Sequence, residues 1–243
     1  MNIIQNPLPY FNERAEGKTP KYLVMHYTDQ LSSADTLKIL NEKKLSAHYL
    51  LDEDGTILQL VDEKNRAWHA GVSYWHEETD MNSSSIGIEI QNPGHSNGYR
   101  SFPKAQVKAL IELSKDIMKR NNIPAKNVIA HSDIAPDRKK DPGELFPWKL
   151  LSENGVGVWV DATEDGIRKA AEIIDNEDRV LELFKNIGYA PVKTFNNATP
   201  DLKQIVTAFQ RHFEPEVFKV GSEGTISIKT IALACKLLEE YND

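Results

Sequence analysis

The sequence predicts an α/β domain, with a mixed central sheet flanked by helices, followed by a small all-α domain. Three observations lead there. Short apolar runs of strand length alternate with helical patterns through the first 150 residues, the order expected of a sheet covered by helices. Two apolar runs joined by Asp-Glu-Asp-Gly mark a hairpin. From Thr163 onward only helical patterns occur. The division is placed at 1–160 and 161–243.

Taken in order, KYLVMHYT is compact, aromatic and β-branched, as a buried central strand is. SSADTLKILNEKK sets Ala34, Leu37 and Leu40 three apart, a helix begun by Ser32 or Ser33. In AHYLLDEDGTILQLVD, Gly55 supplies the positive φ that a tight turn needs. SSIGIEIQN is a further strand, in which Gly87 marks a close approach to something packed on it. PKAQVKALIELSKDIMKRNN is a helix with Val107, Leu110, Ile111, Ile117 and Met118 on one side, stopped before Pro124. VIAHSD reads as a short strand, APDRKKDPGELFPW as an irregular loop, and LSENGVGVWVDA as a connector with room for one more strand. The later helices are EDGIRKAAEII, EDRVLELFKNIG, TPDLKQIVTAFQRHF and SIKTIALACKLLEEY, the third opened by Thr199 as cap with Pro200 and Asp201.

Composition narrows the function. A 40% apolar and 27% charged chain has the balance of an ordinary soluble protein. The net charge of -7 argues against nucleic acid as partner, because phosphate binding needs a basic surface. The single cysteine, Cys235, excludes an internal disulfide and any cysteine-cluster metal site, and its helical surroundings suit a buried thiol. No transmembrane stretch is visible. The first residues lack a basic start and an apolar run, so a cytoplasmic location is expected, or a periplasmic one if a leader has been removed. A monomer is expected.

Two of the six histidines in the first domain, His26 and His131, end predicted strands, where rigid backbone presents side chains into a site. Asp141 follows His131 by ten residues, in a Pro- and Gly-rich turn. Two imidazoles and a carboxylate suit Zn²⁺ and leave a fourth position for water. By spacing alone this metal reading is weak, since a lone strand histidine is more often a hydrogen-bonded core residue and no compact zinc motif is present.

Four stretches carry a resemblance: VMHYT, SAHYLLDEDGTILQLVDEKNRAWHAG, SSIGIEIQN and AHSDIAPDRKKDPGELFPW. In that order, over roughly residues 20 to 150, they resemble the AmpD/AmiD-type zinc amidases of the N-acetylmuramoyl-L-alanine amidase type 2 and peptidoglycan-recognition superfamily. The resemblance implies that family's mixed-sheet fold and Zn²⁺ on His26, His131 and Asp141. It implies Glu89 as the acid–base residue and Lys139 as the group that stabilises the oxyanion; on the residues alone these are a strand carboxylate and a solvated loop charge, with Lys140 competing for the role. It places His48, Trp68 and His69 along the substrate cleft, with hairpin packing and hydrogen bonding behind the ligands as the equal alternative. Arg66 and Arg138 are, from their chemistry, cations open to bidentate contact with stem-peptide carboxylates, with a solvated charge as the alternative.

Phage-type relatives carry a cysteine as third ligand and a tyrosine before the hairpin histidine. Here those positions resemble Asp141 and Ala47, so the site looks like the carboxylate version. The implied reaction is hydrolysis of the amide between N-acetylmuramic acid, 1,6-anhydro forms included, and L-alanine, with peptidoglycan or muropeptides as partner and wall turnover and recycling as context. A purely recognising relative typically lacks a ligand, whereas this sequence keeps all three. The helical segment loosely resembles a three-helix peptidoglycan-binding module, with Phe209, Gln210 and His212 as candidate contacts; a bundle that only caps the first domain is the alternative.

Overall fold

The computed structural model describes residues 2–189 and 199–242. Its first elements are β1 (Ile3–Gln5), β2 (Phe11–Glu13), β3 (Tyr22–Tyr27), α1 (Ser33–Lys43), β4 (Tyr49–Leu51), β5 (Ile57–Gln59), β6 (Asn65–Ala67), α2 (Met81–Ser84), β7 (Ser85–Ile90), α3 (Lys104–Asn121) and β8 (Val128–Ala130). There follow α4 (His131–Ile134), α5 (Trp148–Glu153), α6 (Glu164–Ile173), α7 (Glu177–Ile187), α8 (Leu202–Phe213) and α9 (Ile228–Asn242). Contacts divide the chain into two units. One holds Met1–Gly71, Asp80–His131 and Asp141–Val158; the other holds Val72–Thr79, Ser132–Lys140 and Trp159–Asp243.

The first unit is built on a six-stranded sheet in the order β1-β5-β4-β7-β3-β8, mixed because β4 and β5 pair antiparallel while the other neighbours run parallel. β3 sits between β7 and β8, and its Leu23, Val24 and Met25 are fully buried, which is why its apolar run is continuous rather than alternating. Gly55 turns the β4–β5 hairpin at φ +92, and Asp52 and Thr56 close it with a 2.9 Å bond. Ser32 caps α1 by accepting from the Asp35 N–H, and Lys44 ends it in the left-handed region. α3 turns Val107, Leu110, Leu113 and Ile117 inward. The buried Gln106 amide donates to the Leu51 and Gln91 carbonyls, which locks the helix to the sheet.

The second unit is helical. Its core gathers Val180 and Phe184 of α7, Ile205 and Phe209 of α8, and Ile231 and Leu237 of α9, all fully buried. Phe184 and Phe209 meet edge to face at 5.3 Å. Cys235 is a buried thiol in α9.

Several expectations are corrected. VIAHSD is a strand only to Ala130; His131 opens the single turn of α4. The connector adds no strand: Trp148–Glu153 forms α5, and Gly155 and Gly157, both at positive φ, break the run that follows. The units part between Val158 and Trp159, near the expected 160. However, Val72–Thr79 and Ser132–Lys140, read as parts of the first domain, pack within the helical unit. Sequence order hides this, because those segments leave the sheet and return to it. β1, β2, β6 and α2 are too short for periodicity to reveal.

The cap of α8 is Asp201, not Thr199. Its carboxylate accepts from the Gln204 N–H, and the Gln204 side chain accepts from the Asp201 N–H. Asp201→Ala is expected to cost about 1 kcal/mol in urea unfolding, the usual worth of such a cap, while Thr199→Ala leaves stability unchanged.

Candidate active site

The strand register brings the site together. β3 and β8 pair as Met25↔Ala130, so one step further along both chains His26 and His131 stand side by side. Across the other edge of β3, His26 pairs with Glu89 of β7 and places both side chains on one face of the sheet. Three adjacent parallel strands therefore deliver a histidine, a histidine and a glutamate at one end of the sheet. Asp141 completes the set: His26 Nδ1 and His131 Nδ1 are 2.9 Å apart, and Asp141 Oδ2 lies 3.0 and 2.9 Å from them. All three residues are buried.

Hydrogen bonds on the far side of each ring fix which nitrogen faces the centre. His131 Nε2 lies 3.0 Å from the Ala70 carbonyl, which can only accept, so Nε2 carries the proton and Nδ1 presents a lone pair. For His26 the chain is longer. The Ser85 hydroxyl donates to the Met81 carbonyl, so it accepts from His69 Nε2–H at 3.2 Å. His69 Nδ1 then accepts from His26 Nε2–H at 2.9 Å, leaving His26 Nδ1 a lone pair as well. Burial, then the neighbouring His26, holds the His69 pKa well below the usual histidine range, which keeps the ring neutral as this chain requires.

Two lone pairs and a carboxylate oxygen cannot lie this close without a positive charge among them, either a proton or a metal cation. Burial pushes the Asp141 pKa up, but where that positive charge is a proton on His131 or His26, its attraction and hydrogen bond outweigh burial and hold the carboxyl well below its ordinary range. The donor set, two neutral imidazoles and one carboxylate each braced from behind, fits a divalent ion with an open position.

Gly87, expected to mark a close approach, faces the ring of His69. A Cβ there would lie 2.5 Å from His69 Nδ1. The segment bearing His69 is held by Asn82, whose Oδ1 accepts from the His69 and Ala70 N–H groups at 3.0 and 2.8 Å. His69, half-buried, thus supports the His26 ring from behind.

His48 and Arg66 are both held by the protein's own groups. His48 is fully buried: its Nδ1 accepts from the Gly87 N–H at 3.0 Å and its Nε2 lies 3.1 Å from the Asn65 carbonyl. Burial, then the adjacent Arg14 guanidinium, pushes its pKa down to about 3. Arg66 is taken by Asp80, whose Oδ1 accepts from Nε and Nη2 at 3.2 and 2.9 Å, and by Asn12. Arg138 donates to the Val72 carbonyl. Trp68 is half-buried, with its indole N–H on Asn12 Oδ1 at 2.6 Å. Lys139 is half-buried and Lys140 exposed. Phe209, Gln210 and His212 are buried in the helical unit.

Three supports escaped the sequence reading. Arg14 donates to the carbonyls of Glu63, Asn82, Ser83 and Ser85; because these partners are main-chain atoms, no side-chain pattern announces them. Tyr99 donates to the Pro142 carbonyl at 2.8 Å, accepts from the Leu145 N–H at 2.9 Å, and stacks on His95. His95 in turn joins the hydroxyl of Tyr27, the neighbour of His26, to Glu144, so this cluster braces the turn after Asp141. Asp133 is buried.

Gly87→Ala should displace His69, free the His26 ring to turn, and weaken metal binding by roughly 10- to 100-fold, the usual effect of losing such a support. Calorimetric titration of the metal-free protein with Zn²⁺ measures this directly.

Comparison with known proteins agrees with the geometry. The sequence profile described as N-acetylmuramoyl-L-alanine amidase matches residues 16–144. N-acetylmuramoyl-L-alanine amidase AmiD of Escherichia coli is 40% identical over 239 residues, covering 91% of this chain and 83% of that protein. The solved complex of E. coli AmiD with anhydro-N-acetylmuramic acid-L-Ala-D-γ-Glu-L-Lys superposes with a TM-score of 0.77 at 36% identity, covering 94% of this chain and 93% of that one. AmpDh3 from Pseudomonas aeruginosa, in complex with anhydromuramic pentapeptide, gives 0.78 at 34% identity and 96% of both chains. With its His-His-Asp centre, mixed sheet and helical C-terminal segment, this chain belongs to the N-acetylmuramoyl-L-alanine amidase family.

Proposed function

We propose that this chain hydrolyses the amide between the lactyl group of N-acetylmuramic acid, 1,6-anhydro forms included, and L-alanine, with Zn²⁺ held by His26, His131 and Asp141. The observation that carries the reading is the convergence of three metal-capable atoms beside Glu89 on the neighbouring strand. The anhydromuropeptides in the two solved relatives support the substrate class.

The chemistry such an ion supplies when bound is acidification of a water molecule and polarisation of a carbonyl. Glu89, half-buried beside His26, takes a proton from the attacking water and returns it to the departing amine of L-alanine, general base and then general acid. Lys139 supplies positive charge to the oxyanion as the carbonyl carbon becomes tetrahedral. His69 and the Ala70 carbonyl keep the two ligand rings from turning while charge redistributes. Trp68 offers an apolar surface to the sugar or stem peptide.

Incubation with anhydromuropeptides and with intact sacculi, followed by mass spectrometry, is expected to release peptides beginning with L-alanine. Cleavage at a different bond, or none in zinc-loaded protein, rules the reading out. Glu89→Ala should retain the metal and lose roughly 10²- to 10⁴-fold in rate.

A further inference from the structure

The segment Ser132–Lys140 joins two metal ligands, His131 and Asp141, and carries Lys139, yet it packs in the helical unit. Asp133 is its anchor. The carboxylate is buried, and each oxygen accepts one bond from the helices: Oδ1 from the Tyr189 hydroxyl at 2.7 Å, and Oδ2 from His212 Nδ1–H at 2.8 Å. A carboxylate out of water is tolerated only where donors replace its hydration, so this pair of bonds is a strong constraint rather than a surface convenience.

The two donors come from different elements, Tyr189 just after α7 and His212 in the last turn of α8. Each is fixed by its own packing. Tyr189 meets Trp75 edge to face at 4.9 Å and Phe184 at 6.0 Å, and the His212 ring stacks on Phe213 at 3.9 Å. The same unit grips the segment again where the Tyr74 N–H donates to the Ile134 carbonyl at 2.9 Å and where Arg138 donates to the Val72 carbonyl. Val72–Thr79, the other segment taken into this unit, continues directly from His69 and Ala70, which orient the ligand rings.

We infer that Tyr189 and His212 are positioning residues for the amidase reaction: through Asp133 they hold the segment that spaces His131 from Asp141 and presents Lys139. The inference rests on the zinc amidase reading above. It gives the helical unit a role in the chemistry, where the sequence suggested either a wall-binding module or a passive cap. Its physical basis is preorganisation. A ligand or charge fixed before the reaction needs no rearrangement during it, and a misplacement of about 1 Å can cost on the order of 10²-fold in rate.

The test compares the full chain with His212→Leu, His212→Asn and Tyr189→Phe. Three quantities are measured: kcat and KM on a soluble anhydromuropeptide, Zn²⁺ affinity of the metal-free protein by calorimetry, and thermal unfolding. His212→Leu is expected to lower kcat and to weaken Zn²⁺ binding, each roughly 10- to 100-fold, with KM within about twofold. His212→Asn, whose amide N–H can replace Nδ1–H, should recover most of both. Tyr189→Phe, which removes the other donor and keeps the ring, should fall on the same scale as His212→Leu. A purely structural role would lower the unfolding temperature of the variants without the kcat-against-KM split or the rescue by asparagine.

Folded variants with wild-type kcat and wild-type Zn²⁺ affinity overturn the inference. So does a loss confined to intact sacculi with soluble substrate turned over normally, which would make the helices a polymer-binding device. If the wild type cleaves no muropeptide, the proposed function fails instead, and Zn²⁺ affinity alone decides the positioning: equal affinity in wild type and variants overturns it. Should His212→Leu not fold, Tyr189→Phe and His212→Asn carry the same comparison.

Discussion

The requirement for a positive charge between His26 Nδ1, His131 Nδ1 and Asp141 Oδ2 governs the rest of the site. The three atoms lie about as close as hydrogen-bonded pairs do, but the far side of each ring already holds that ring's proton. The Ala70 carbonyl does this for His131. The His69–Ser85–Met81 carbonyl chain does it for His26. Both end on an acceptor that cannot donate, so the direction of every proton follows from the chemistry of the last atom. Burial of all three residues then makes the unscreened lone pairs costly without a cation.

The sheet supplies the rigidity for that arrangement and the loops supply its completion. β3 is fixed on both edges, which sets His26 against His131 on one side and Glu89 on the other. Asp141, by contrast, comes from an irregular turn and needs bracing. Tyr99 and His95 hold it from within the first unit. Asp133, at the other end of the same segment, is held by the helices. Within the first unit, the third ligand's turn is thus braced by residues more than forty positions away in sequence.

The parts legible in the sequence were those written locally. The apolar run of β3, the Ser32 cap and the Asp-Glu-Asp-Gly hairpin each contain their own signal. So does Gly87, whose missing side chain pointed to a close neighbour, though not to which one; the structure shows His69. His26, His131 and Asp141 were weak by spacing and became specific only through the AHSDIAPDRKKDPG stretch. What stayed hidden was set by long-range pairing. His48 and Arg66 stood open between substrate contact and a structural role because Arg14 and Asp80, which they meet, lie elsewhere along the chain. His212 was one of three candidate contacts on an amphipathic helix. Its partner Asp133 lies 79 residues away, and no helical periodicity encodes that bond.

The most direct measurement is a crystal structure of the zinc-loaded protein with anomalous data at the zinc edge. The account predicts one ion bonded to His26 Nδ1, His131 Nδ1 and Asp141 Oδ2 at about 2.0–2.2 Å, with His26 Nε2 still on His69 and His131 Nε2 still on the Ala70 carbonyl. An ion bound through either Nε2, or one seated away from these three residues, would contradict it.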